Sequence, residues 1–456
     1  MGSLSSSTTT DKCLGRVCYV TLGCAKNEVD TDRMRALLRN AGFADADDVA
    51  DSDLVIVNTC AFLASATSES IECTLALAEE VQQDVRLKPI VMCGCVPSRY
   101  GEDLPDQLPE VAAFVRTDEE DGIVEVVSRV LGLGVDATPS LDGALRTIEG
   151  ASAFVKISDG CNRFCSFCAI PYIRGRYASR SADEILAEVK TLMEGGVREV
   201  VLIGQDTGVW GSDLDGQLDL AWLLARVAEV VRPFDGWVRV LYLQPEGMTD
   251  RLVATIRDTP EVLPYIDIPI QHCSSDVLKG MRRSGSPKEY HDLFSRLRSE
   301  IPGMVLRSTA MAGFPGETEQ DFDQLVDFLQ AEELDYCSVF AYSPEEGTIA
   351  ARMDGQVDED TKAARTQALV DLTEELGFSA TAKHVGEVGR VIIDGVEKSD
   401  DGVELVGHAW FQAPDSDGAV HIESGDASVG DMVTCHFVDS FCYELVGVIV
   451  DDENNN

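Results

Sequence analysis

Eight residues constrain this chain more than any other stretch: Cys161-Asn162-Arg163-Phe164-Cys165-Ser166-Phe167-Cys168. Three cysteines at C-x3-C-x2-C spacing, in a tight loop, can bring three thiolates onto one small inorganic core. A structural zinc site closes four ligands, usually as two separated pairs, and no fourth ligand follows here. A 4Fe–4S cluster takes thiolates readily. Held by only three, it leaves one iron open to a small chelating ligand. A plain redox or structural triplet is the competing reading, and the flanking chain has to decide between the two.

The 456 residues suggest about two to four domains. With 45% hydrophobic and 26% charged residues, the composition is that of a soluble globular protein. No run of about 18 apolar residues exists, so no transmembrane helix and no membrane partner are expected. Met1-Gly2-Ser3-Leu4 and the polar residues after it lack a signal peptide's basic region and apolar core. They fit a loose N-myristoylation pattern, but a disordered tail over residues 1–15 is the expectation. Fourteen cysteines in so large a chain point to metal clusters in a reducing cytoplasm rather than to disulfides. The net charge of −43 repels phosphate backbones and attracts basic partners, unless it is an adaptation to salt.

Residues 16–131 alternate apolar runs with amphipathic helices, as α/β layers do. Strands read at Val17–Leu22, Leu54–Asn58 and Ile90–Cys93 end at Cys24, Cys60 and Cys95. Open α/β sheets place their ligand sites at such ends, although three cysteines so placed are also common as buried thiols. Residues 132–150 form a Gly/Asp/Thr/Pro-bearing linker. Over 151–382, βα units repeat, with strands at Phe154–Ile157, Val200–Ile203, Val238–Leu243, Tyr265–Ile268, Val305–Thr309 and Cys337–Ala341. Six units predict a partial (β/α)6 barrel, and a full eight-stranded barrel is the alternative. Ser181-Ala182-Asp183-Glu184 is a capping box that opens one of the helices. The loops after the strands hold Gln205-Asp206-Thr207, Gln244-Pro245-Glu246, Gln271-His272 and Gly313-Phe314-Pro315-Gly316-Glu317-Thr318. From Lys383 to about 450 the helices stop and short strands suggest a small antiparallel β-barrel, giving a mixed α/β chain.

The Cys161–Cys168 spacing, with Phe167 before the last cysteine, resembles the signature of the radical S-adenosylmethionine enzymes. Thr21-Leu22-Gly23-Cys24-Ala25-Lys26-Asn27, Val57-Asn58-Thr59-Cys60 and Gly94-Cys95 resemble the N-terminal domain of the methylthiotransferases within that superfamily. The terminal strands resemble their TRAM domain. The resemblance implies two 4Fe–4S clusters, one on Cys161, Cys165 and Cys168 and one on Cys24, Cys60 and Cys95. Cys93 lies close enough in sequence to compete for the second. It implies S-adenosyl-L-methionine as methyl donor and radical source, with Phe167 beside its adenine and Gly313 and Gly316 supporting it. Gln205 would contribute from its loop, and Arg307 would reach the ribose or carboxylate. His272 reads equally as a core imidazole. No side chain is required as a classical acid or base.

Among methylthiotransferases, Thr21–Asn27 and Ile203-Gly204-Gln205-Asp206-Thr207 resemble the RimO type, which modifies the β-carbon of an aspartate in small-subunit ribosomal protein twelve. Arg174-Gly175-Arg176-Tyr177-Ala178-Ser179-Arg180 instead resembles the tRNA-adenosine (MiaB-like) branch, and His272-Cys273-Ser274 departs from both. Charge breaks the tie. Residues 383–456 hold 3 Lys and Arg against 16 Asp and Glu, where counterion release cannot favour RNA. The resemblance then implies a basic ribosomal protein as substrate and no direct tRNA binding. It also implies sulfide as sulfur source and an electron donor such as flavodoxin or ferredoxin. The acidic terminal barrel is expected to face the catalytic mouth and draw the substrate in. A non-catalytic iron–sulfur sensor or carrier is the reading from another class.

Overall fold

The computed structural model describes residues 13–82, 88–134, 146–147, 150–399 and 402–450. Most of the expected tail and linker thus lies outside the described residues. The chain folds as two compact units. One takes the residues up to Thr147 together with Tyr172–Arg174, the other Ile148–Pro171 and everything from Gly175 on.

In the first unit five parallel strands form one sheet: β1 (Arg16–Thr21), β2 (Ala44–Asp45), β3 (Leu54–Thr59), β4 (Ile90–Gly94) and β5 (Val111–Arg116), in the order β2-β1-β3-β4-β5. Every residue of β3 and β4 is buried, as in parallel strands covered on both faces. Met34, Leu37 and Leu38 of helix Ala25–Asn40 and Val124 and Val127 of helix Ile123–Val130 pack with Ile56, Val91 and Cys93. Each fully buried leucine there contributes about 1.5–3 kcal/mol. The edge strands β2 and β5 were not expected from the sequence. The first has two residues, and the second buries only two of its six.

The second unit is built on six parallel strands in chain order: β6 (Ser152–Lys156), then, after the two-residue antiparallel pair β7 (Ser158–Asp159) and β8 (Ala178–Ser179), β9 (Glu199–Ile203), β10 (Trp237–Val240), β11 (Val262–Asp267), β12 (Val305–Ala312) and β13 (Tyr336–Ala341). The sheet does not close between β13 and β6, so it is the partial barrel expected. Side chains alternate across it with period two. Val200, Leu202, Val238, Val240, Ile266 and Leu306 join the core under the helices, and Glu199, Arg239, Tyr265, Asp267 and Arg307 take the alternate positions. Ser181 accepts from the Glu184 N–H and caps helix Ala182–Glu194.

Helix Glu359–Ala382 leads into five strands, β14 (Val388–Ser399), β15 (Gly402–Ala409), β16 (Val420–Ser424), β17 (Met432–Phe441) and β18 (Glu444–Ile449), closed as β14-β15-β16-β18-β17. Pairing is antiparallel except between β16 and β18.

This barrel docks at the N-terminal ends of the parallel strands, and the expectation that it faces the mouth is corrected. His408 bonds Glu199, the first residue of β9, and Glu199 in turn pairs with Arg239 at 2.6 Å, both side chains being 0% exposed. Asp417 accepts from Arg307 at 3.0 Å and from the Tyr265 hydroxyl. Arg390 pairs with Asp235 at 2.6 Å, two residues before β10. Unpaired, such buried charges would each cost several kcal/mol, which is why they occur matched.

Candidate metal centres

The first unit gathers Cys24, Cys60 and Cys95 at the C-terminal ends of β1, β3 and β4. Cys24 caps helix Ala25–Asn40, Cys60 follows β3, and Cys95 opens helix Cys95–Tyr100. Burial pushes Cys95 up to about 11, with Cys60 and Cys24 adding as like charges and Arg174 opposing them. Two asparagines hold the ends in register. Asn27 Nδ2 donates to Asn58 Oδ1 at 3.2 Å and to the Thr59 carbonyl at 3.0 Å, and Asn58 Nδ2 returns a bond to the Asn27 carbonyl at 2.9 Å. Ser70 receives the Cys60 N–H and donates back to its carbonyl. Glycine is required before two of the cysteines. At Gly94, φ is +91° and a Cβ would stand 2.1 Å from Asn58 Oδ1; at Gly23, φ is +111° and a Cβ would meet that of Cys60 at 2.8 Å.

Cys93 points elsewhere. It is 0% exposed in the apolar core beside Leu37 and Val124, and Glu120 is the charge that acts on it. Arg174 belongs to this unit, where its guanidinium meets Asp30 at 2.9 Å with both side chains buried. Its positive charge lowers both Cys60 and Cys95 against the rise that burial imposes.

In the second unit, β7 and β8 pinch the base of the loop carrying Cys161, Cys165 and Cys168. Gly160, at φ +67°, lies so close to the return strand that a Cβ would stand 2.2 Å from the Arg176 carbonyl oxygen. Ser166 anchors the loop by its N–H to the Met281 carbonyl and its hydroxyl to the Gly280 carbonyl. Burial pushes Cys168 up to about 12, and Cys165 and Cys161 act on it as neighbouring thiolates. Arg163 reaches across two other strand ends, donating to Asp206 at 2.5 Å and Glu246 at 2.9 Å. Arg283 and Arg163 pull Cys165 down against the burial that raises it.

These sets fit 4Fe–4S clusters. Buried thiols ionise when a cation binds them, and arginines stand beside each set to offset the anionic product. Among the described residues no group of three His, Cys, Asp or Glu is placed to hold a single metal ion. The remaining cysteines lie elsewhere: Cys273 is buried in the core with its thiol toward the Gln324 carbonyl, and Cys435 is buried in the terminal barrel.

Phe167 is half-buried against the core next to Cys168, and Gln205 lies just past β9 with its Oε1 buried and unpartnered, as is Asp206 Oδ1. A bound donor would satisfy both atoms. Gly313 and Gly316 take φ of +79° and +85° in the loop after β12. His272 is a core residue, its Nδ1 accepting from the Ser274 N–H. Arg307 is a correction. It stands five residues before the end of β12, where Asp417, Asp267 and Ser338 take up its guanidinium. Arg163, Asp206, Arg174, Asn27 and Asn58 all stand inside the motifs quoted from the sequence, where no site role attaches to them.

Residues 155–329 match the family profile of the radical SAM superfamily, 16–116 that of uncharacterized protein family UPF0004 and 385–450 that of the TRAM domain. A protein of Geobacter sulfurreducens named ribosomal protein uS12 methylthiotransferase RimO is 39% identical over 446 residues, covering 95% of this chain and 98% of that protein. One of the same name from Natranaerobius thermophilus is 37% identical over 96% of this chain and 99% of that protein. The solved radical S-adenosylmethionine methyltransferase TsrM from Kitasatospora setae, with cobalamin and a 4Fe–4S cluster bound, superposes with a TM-score of 0.56 at 14% identity. It covers 85% of this chain and 78% of that one, a likeness of fold.

Proposed function

We infer the reaction from one premise: the chain belongs to the family of ribosomal protein uS12 methylthiotransferases, within the radical SAM superfamily. Its reaction is transfer of a methylthio group to the β-carbon of an aspartate in uS12. The observation that carries this reading is the pair of three-thiol sets, one at the C-terminal ends of β1, β3 and β4 and one in the single loop that follows β6 and β7. When bound, a three-thiolate 4Fe–4S cluster supplies reductive cleavage of S-adenosylmethionine to a carbon radical, which an unactivated C–H bond requires.

The protein's own residues bind and orient. Cys161, Cys165 and Cys168 would hold one cluster, and Cys24, Cys60 and Cys95 the other. Phe167, Gln205, Gly313 and Gly316 would cradle S-adenosylmethionine, and Arg163 fixes the cysteine loop against Asp206 and Glu246. Sulfide as the sulfur source, a flavodoxin or ferredoxin as reductant and a cytoplasmic location complete the proposal.

Two features support a basic protein over tRNA. The chain carries −43 net charge. The arginines of the segment that resembles the tRNA branch are engaged within the protein: Arg174 on Asp30, Arg180 on Glu188 and Arg176 over the Phe164 ring at 4.4 Å. The test is mass spectrometry of uS12 and of tRNA after incubation with the reconstituted enzyme, S-adenosylmethionine, sulfide and a reductant. Methylthiolated aspartate with unmodified tRNA is expected. Modified tRNA with untouched uS12 would reverse the assignment.

A further inference from the structure

Helix Glu359–Ala382 joins the parallel sheet to the terminal barrel, and near its start it grips the loop Gly313–Thr318. Arg365 Nη1 donates to Glu317 Oε1 at 2.8 Å and to the Glu317 carbonyl at 3.2 Å, and Nη2 donates to Glu319 Oε2 at 2.9 Å. The other oxygen of Glu317 accepts the Gly313 N–H at 2.9 Å. One wholly buried carboxylate therefore closes the loop on itself and ties it to the helix. Lys362, one turn earlier, lies so close that a Cβ on Gly313 would stand 2.4 Å from its Cγ. Its ammonium sits 5.6 Å over the Tyr342 ring, which meets Phe314 edge-on at 5.5 Å.

The far end of the same helix belongs to the terminal barrel. A Cβ on Gly377 would stand 2.1 Å from the Tyr443 ring, the Tyr443 hydroxyl donates to the Thr373 carbonyl at 2.8 Å, and that ring stacks on Tyr336 at 5.6 Å. Residues 365 and 377 are twelve apart on one continuous helix, about 18 Å. One rod holds the loop at one end and is held by the barrel at the other.

We propose that Arg365 is a positioning residue for S-adenosylmethionine, keeping the Gly313–Thr318 loop in its binding shape, and that the terminal barrel sets this hold through Tyr443 and helix Glu359–Ala382. The proposal rests on the reading of that loop as part of the cofactor cradle. The physics is preorganisation: a charge-assisted, two-pronged clamp fixes the loop before the ligand arrives, so binding does not bear the ordering cost. Tyr443 acts only through the helix.

The test compares the reconstituted full-length protein with Arg365→Ala, Arg365→Lys and Tyr443→Ala. Equilibrium dialysis gives the Kd for radiolabelled S-adenosylmethionine, with iron content, KM and kcat taken on the same samples. Arg365→Ala should weaken binding about tenfold, raise KM more than it lowers kcat, and leave iron unchanged. Arg365→Lys should recover part of the loss, since one ammonium cannot serve both Glu317 and Glu319. Tyr443→Ala should weaken binding about threefold. Native-like binding by Arg365→Ala, or by Arg365→Lys if the alanine variant does not fold, overturns the positioning role. So does loss of iron in step with binding. Native affinity in Tyr443→Ala overturns the link to the barrel. If the native protein itself binds no S-adenosylmethionine, the cradle reading fails and this proposal falls with it.

Discussion

His408 should titrate far above an ordinary histidine. It is buried where the terminal barrel docks, between Glu199 and Asp394, with Arg239 behind Glu199 and Asp415 nearby. Burial alone would lower its pKa, but the two carboxylates outweigh that and raise it to about 9. Against an ordinary value of 6.5, that is about 3 kcal/mol of stability relative to the unfolded chain, shared between Asp394 within the barrel and Glu199 across the docking face. Because the folded value is the higher one, the contribution is complete below pH 6.5 and is lost as pH rises through 9. The ratio of unfolded to folded chain should grow by roughly a few hundredfold across that window. Trp237 reports on it, its ring 6.2 Å from the His408 ring and edge-on. The fluorescence titration of the native protein, minus that of His408→Gln, should show a midpoint near 9. In Glu199→Gln the midpoint should drop toward 6.5. Amide exchange in β14 and β15, corrected for intrinsic rates, should speed up over the same window. A native midpoint at or below 6.5, or one indifferent to Glu199→Gln, would refute the electrostatic account.

Anaerobic reconstitution should load about eight irons per chain, and Cys161, Cys165 and Cys168 changed together to Ala should leave about half. Cys95→Ala should abolish the first unit's cluster by iron assay, whereas Cys93→Ala should keep full iron and lose only about 1 kcal/mol of packing on urea titration. Gly160→Ala should lose the second unit's cluster, because a Cβ meets the Arg176 carbonyl oxygen and the φ of +67° is strained for alanine; iron content and the visible spectrum report it. Asp30→Ala, which takes one buried carboxylate away from the Arg174 guanidinium, should destabilise the first unit, read as faster amide exchange in β1, β3 and β4.

The strands that carry the cysteines were legible because they are apolar runs ending at Gly-Cys or Thr-Cys. Strand β5 was not, since Val-Ala-Ala-Phe-Val-Arg at a sheet edge buries too little to show a period. Arg307 was misjudged because the sequence does not say how far β12 runs. The strand continues to Ala312, which puts Arg307 about 17 Å from the mouth. Asp417 reads as one surface acid among many, and only the fold brings in its partners Arg307 and Tyr265 from more than a hundred residues away. The asparagine pair shows the opposite case. Asn27 and Asn58 were visible in their motifs, but why both are amides follows only from the two bonds that cross between them.

The docking of the terminal barrel limits how this enzyme can be recombined with its relatives. A graft of a barrel without counterparts of His408 and Asp417 would leave Arg307 and the buried Glu199 each short of one ionic partner. Such a chimera inherits a charge mismatch before it meets any substrate. A workable exchange would move the five-stranded barrel as a cassette together with the complementary residues at the starts of β9, β10 and β12, so that sender and receiver keep the same ionic code.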